Sequence, residues 1–139
     1  MSLAVLLLSG AVTVFVLYDR ASAPDRTSPD VVVVKYLQNF LVDRNDARAD
    51  LLTCDGVEGL AAIEQFRKDL IDRERALNVS VSINIEGLLV LEATESTAVV
   101  TAVIRRSALI DGVQQSLTDR WRFDLQELDG WRICTAIKS

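Results

Sequence analysis

Hydrophobic positions change their period twice along the 139 residues. From Leu3 to Tyr18, LAVLLLSGAVTVFVLY, they do not alternate: every position is apolar or small. Between residues 29 and 77 they recur at helical spacing, and from Val79 onward they alternate in steps of two. The pattern predicts an α+β chain: an N-terminal membrane-anchor helix, then helices packed on the concave face of a curved four-stranded antiparallel meander.

Sixteen apolar residues in a helix span about 24 Å, slightly less than a hydrocarbon core of about 30 Å. Leu, Val and Phe surround the whole circumference, so the segment has no polar face to turn outward from a core. No Lys or Arg precedes it, so the usual positive n-region is missing here: either the natural chain starts upstream of Met1 or the amino terminus is the one positive charge. Ala21-Ser22-Ala23 has the small-residue form of a cleavage site, but Pro24 directly after it hinders cleavage. The expectation is a single-pass anchor at 1–18, a polar linker at 19–28 and a domain at 29–139, held at the cell membrane outside the cytoplasm. The alternative is a signal segment, cleaved so that the domain is secreted.

Ser28-Pro29-Asp30 has the composition of a helix start: a capping hydroxyl, proline at the first position and a carboxylate in the first turn. A helix over 29–43 places Val33, Tyr36, Leu37, Phe40 and Leu41 on one stripe. A short helix over 46–53 delivers Cys54, and Asp55-Gly56 turns the chain. A longer helix over 57–77 buries Leu60, Ile63, Phe66, Leu70 and Leu77, with Glu64–Lys68 and Asp69–Arg73 pairs on its solvated side.

Four strands follow, over 79–93, 97–109, 113–126 and 131–137. The turn signals between them are Glu95-Ser96, Asp111-Gly112 and Asp129-Gly130. If each turn is a two-residue hairpin, every cross-strand pair is determined. Ala98 then faces Leu125, Val100 faces Phe123, Ala102 faces Trp121 and Ile104 faces both Asp119 and Gly87. Leu89, Leu91 and Cys134 share that inner face. Leu88, Val90, Val99, Val103, Trp131, Ile133 and Ile137 point outward, an apolar surface of the kind that meets a second copy or a partner protein. A one-residue bulge near Gly130 would instead turn Trp131 inward and Cys134 outward. Cys134 is thereby directed toward the layer that holds Cys54. Two readings stand: a disulfide closing a loop of about eighty residues, or two unpaired buried thiols.

Composition narrows the chemistry. The net charge of −5, with acidic and basic residues interspersed, gives no basic stripe for nucleic acid. The chain has no histidine, which removes the usual general base and the commonest zinc ligand. Two cysteines do not make a structural zinc site, so neither metal nor cofactor is expected. The one polar group on the inner face beside a glycine is Asp119, with Arg106 as diagonal neighbour. That cluster reads either as an ion pair beside a Gly87 bulge or as the floor of a pocket that includes Tyr36, Gln115 and Trp121.

Tyr36-Leu37, Asp46-Ala47, Leu52-Thr53-Cys54 and Asp129-Gly130-Trp131 with Cys134 resemble the NTF2-like (SnoaL-like, cystatin-like cone) superfamily. The closest resemblance is to its membrane-anchored, extracytoplasmic actinobacterial members, over about residues 29–139. It implies pairing of Cys54 with Cys134. The enzymes of that superfamily use a His-Asp dyad, for which this chain has no histidine. The resemblance therefore implies a non-catalytic interaction or accessory module, with a homodimer or envelope protein as partner. The alternative is a small-molecule-binding cone, a lyase or isomerase using Asp119.

Overall fold

The computed structural model describes residues 26–56 and 58–139. The predicted anchor and most of the linker lie outside these residues. Among the described residues no helix is long and apolar enough to cross a membrane, which says nothing of strands that cross as a barrel. The chain forms α1 (Pro29–Leu37), a π-helical turn (Gln38–Val42), α2 (Asp46–Asp50), a 3₁₀ turn (Glu58–Leu60) and α3 (Ala61–Leu77). Strands β1 (Ser82–Ala93), β2 (Thr97–Ile110), β3 (Val113–Glu127) and β4 (Trp131–Lys138) complete it. The strands make an open antiparallel sheet in the order β1-β2-β3-β4, with the helices on one face.

The helical stripe is buried as its spacing requires. Val32, Val33, Tyr36, Leu37, Phe40 and Leu41 from the first segment meet Ile63, Phe66 and Leu70 of α3 in one core with the sheet. Pro29 sits at the first helical position, and Asn78, at φ 52°, ends α3 in the left-handed conformation. The expected Glu64–Lys68 and Asp69–Arg73 pairs do not form among the described residues. Instead Gln65 donates to Asp69 at 2.8 Å, and Glu74 pairs with Arg44 beyond the π turn. Leu77, expected in the core, is half exposed.

The β2–β3 register is the predicted one throughout, from Ile110↔Val113 to Thr97↔Gln126. Asp111 and Gly112 both have positive φ, as a two-residue turn of this hand demands. On β1, Ile85 and not Gly87 lies opposite Ile104. Gly87, at φ 55°, sits in a bulge between Glu86 and Leu89 that reverses the facing of the residues after it. Leu88 consequently packs against the core, Leu89 faces outward opposite Thr101, and Val90 pairs with inward Val100 while staying 41% exposed. A second shift lies between Val90 and Glu92.

The last hairpin departs most from expectation. Its loop has an extra residue, since Glu127 and not Leu128 pairs with Trp131. A bulge at Cys134, between Asp124 and Leu125 on the facing strand, then restores the register. The two offsets cancel by Phe123↔Ala136, but between them every residue is reversed. Trp131 and Ile133, expected outside, are core residues, and Cys134, expected inside, lies half-buried at the sheet edge.

That edge is not left open. Trp131 N–H donates to the Arg26 carbonyl, Ile133 N–H to Leu52, and Cys54 N–H to Ile133, each at 2.9 Å. Leu52-Thr53-Cys54 thus runs parallel to β4 as a one-bridge strand, and Cys54 and Cys134 are joined by a disulfide with Cα atoms 4.9 Å apart. The staple ties a connecting segment to the sheet edge, where unpaired backbone would otherwise invite another chain. The 3₁₀ turn closes over it: a Cβ at Gly59 would overlap the Cys134 carbonyl. Gly59→Ala is therefore expected to cost about 1–3 kcal/mol, because the obstructing atom is backbone that cannot swing away. Urea unfolding checks this, and an unchanged midpoint would refute the close apposition.

Candidate functional site

Strand alternation brings Ala98, Val100, Ala102 and Ile104 of β2 and Trp121, Phe123 and Leu125 of β3 to the helix-covered face, all buried. Phe66 of α3 meets Trp121 edge-on at 5.3 Å between ring centres, and Tyr36 stacks on Phe40 at 5.2 Å. These rings belong to the core between the helices and the sheet.

Asp119 stands one alternation beyond Trp121 and is held from two sides. One carboxylate oxygen lies 2.9 Å from Arg106 Nη2, the other 3.4 Å from Lys138 Nζ. The Arg106 and Asp119 side chains are 17% and 16% exposed. Arg106 also sits over the Phe66 ring at 5.0 Å, with Lys138 Nζ at 5.6 Å from the same ring. Both carboxylate oxygens thus face a cation. The geometry is that of a counter-ion.

The pocket residues expected from sequence do not converge. Arg106 and Gln115 line a cleft of about 170 Å³ between the C-terminal half of α3 and the β2–β3 hairpin, with Leu70, Leu77, Val81 and Leu117. Asp119 and Trp121 are not among its lining residues, and Gly87 is on the β1 bulge. Tyr36 instead lines a separate recess of about 260 Å³ with Phe40, Asp50, Asp55 and Glu64. Burial, and next the Glu64 carboxylate, push the Tyr36 phenol well above the usual tyrosine range, so it stays protonated. The carboxylates there do not form a metal-binding group, and none occurs among the described residues. Leu70, Arg73 and Leu77 of the cleft were missed as site residues. Only the packing of α3 over the hairpin reveals them.

The outer sheet face keeps Val99, Val103 and Ile137 from the expected interface and gains Leu89, but loses Leu88, Trp131 and Ile133 to the core. Ion pairs interrupt what remains: Arg105 with Glu86 at 3.5 Å and Arg122 with Asp124 at 3.2 Å.

A further polar cluster braces the helices. Arg67 of α3 donates to the Phe40 carbonyl at 3.3 Å and to Asp46 at 2.5 Å, with its guanidinium 4.0 Å above the Phe40 ring. The hydrogen bond from Arg67 lowers the Asp46 carboxyl below its ordinary value of 3.8. A depressed carboxylate pKa adds stability above the unfolded value and loses it as pH falls through the folded one. Because Asp46 is 64% exposed, solvent screening limits the effect to a few tenths of a kcal/mol. Asp46→Asn should therefore shift the urea midpoint slightly at pH 7 and not at all near pH 2. An equal shift at both values would contradict the ion pair as its source.

No family model matches the chain, and no curated protein matches it. Solved structures do. A proposed aromatic ring hydroxylase from Novosphingobium aromaticivorans is 11% identical over 78% of this chain and 82% of its own, with a TM-score of 0.53. The Kfla4162 protein from Kribbella flavida is 12% identical over 78% of this chain and 84% of its own, also at 0.53. The intermembrane space region of the chloroplast protein ARC6 is 17% identical over 77% and 90%, at a TM-score of 0.45, too low to establish a shared fold. The first two likenesses establish a fold in common and nothing about activity.

Proposed function

We propose that residues 29–139 are a non-catalytic NTF2-like binding module, tethered at the outer side of a cell membrane by the apolar segment 3–18. The observation that carries the reading is Asp119 held between Arg106 and Lys138, beside a core that includes Trp121 and Phe66. These features favour a scaffold over the lyase or isomerase alternative, which needs a carboxylate free to take a proton. The helical layer on a four-stranded meander, together with the likeness to two solved structures at a TM-score of 0.53, supports the superfamily assignment. The disulfide supports an oxidising compartment, where such bonds persist.

The module's partner is a second copy or an envelope protein, met through Leu89, Val99, Val103 and Ile137 of the outer sheet face. Cross-linking of the full-length chain in its membrane, followed by native mass spectrometry, tests this. The expected result is a homodimer or one stoichiometric envelope partner that Val103→Glu removes. A strict monomer without a co-purifying protein would overturn the reading.

A further inference from the structure

The cleft between α3 and the β2–β3 hairpin differs in charge from the rest of the molecule. The chain carries 20 acidic against 15 basic residues, yet the cleft is lined by two arginines and no carboxylate. Its walls are otherwise largely apolar: Leu70, Leu77, Val79, Val81, Ile110 and Leu117. Leu77 and Leu117 are 51% and 55% exposed and form an uncovered rim.

Arg106 has donor capacity to spare. A guanidinium offers five N–H groups. Asp119 lies against Nη2, and the Arg106 side chain also lines the cleft. Arg73, exposed at the other side of the cleft, has no ion pair among the described residues.

We propose that this cleft binds a small apolar monocarboxylate, its carboxylate between Arg106 and Arg73 and its hydrocarbon body against Leu70, Val81 and Leu117. Volume sets the size. An apolar cavity of about 150 Å³ accommodates a benzene-sized body, so about 170 Å³ takes a body of about six carbons. Arginine suits the head group because its planar fork matches a carboxylate. Asp119 has the complementary task of keeping Arg106 extended toward the cleft from behind. The inference is independent of the membrane tether and of any partner on the outer sheet face, because the site lies on the helix-covered side.

Titration calorimetry of the full-length chain in lipid nanodiscs tests it, with hexanoate as probe and empty nanodiscs to measure partitioning. Saturable binding in about the millimolar range is expected for so few heavy atoms. Hexanamide, equal in shape but uncharged, should bind about tenfold more weakly, since charge-assisted hydrogen bonds are about twice as strong as neutral ones. Arg73→Gln should weaken hexanoate several-fold and leave hexanamide unchanged. Ala108→Phe fills the cleft and should abolish both. Leu117→Trp, on the exposed rim, serves the same end if the inner position does not tolerate phenylalanine. Heat no greater than in empty nanodiscs, equal affinity for hexanoate and hexanamide, or full binding by the filled variants would each overturn the proposal.

Discussion

Replacing Cys54 and Cys134 together by alanine should lower the thermal midpoint of the domain by about 10–20 °C. The bond spans 80 positions, and the chain-entropy relation assigns a loop of that size about 4.5 kcal/mol of lost freedom in the unfolded chain. At roughly 4 °C per kcal/mol for a domain slightly over 100 residues, that is a shift well beyond measurement error. A local effect should accompany the global one. Leu52-Thr53-Cys54 meets the sheet through one bridge, so without the covalent bond its hydrogen bonds with Ile133 can open alone. Hydrogen exchange at the amides of Ile133 and of position 54 should therefore accelerate more than at β2. A midpoint shift below about 4 °C would mean that the unfolded chain already holds these segments together.

The Arg106–Asp119 pair should show the asymmetry of largely buried charges. Asp119→Leu alone is expected to cost about 2–4 kcal/mol, because it leaves a guanidinium at 17% exposure without its counter-ion. Arg106→Met alone should cost less, since Lys138 still faces Asp119. The double variant should lie within about 1 kcal/mol of the wild type, as the apolar pair continues the surface of Ile104, Trp121 and Phe66. A double-mutant cycle by urea unfolding measures the coupling. Additive losses would show that the two side chains act separately, and the counter-ion role of Asp119 would fail with them.

How far the sequence could be read depended on where the chain kept to one period. Between Ala98 and Leu125 each pair was legible, because the Asp111-Gly112 turn has two residues and no bulge interrupts either strand. In β1 the glycine marked a bulge, but Leu88 to Leu91 are all apolar, so alternation could not show which side each took. In β4 two offsets of opposite sense lay four residues apart and left the far end in register. A signal was present: Trp131 and Ile133 flank Arg132, the apolar-polar-apolar order of a half-buried strand, and it conflicted with placing Cys134 inward. The Arg106–Asp119 pair was legible as a diagonal of a correctly read register. The cleft was not, because Leu70 and Arg73 lie more than thirty positions from Arg106 and only the crossing of α3 over the hairpin unites them.

The edge staple also determines how the domain bears a mechanical load. Tension between the N-terminal segment and the C-terminus runs covalently from residue 26 to Cys54, across the disulfide, and out through residues 134–139. Residues 55–133, which hold α3, three whole strands and the cleft, hang from this path as a side loop and carry none of the covalent load. Pulling can strip Arg26 and α1 from the sheet, but β1, β2 and β3 cannot be drawn out lengthwise while the bond is intact.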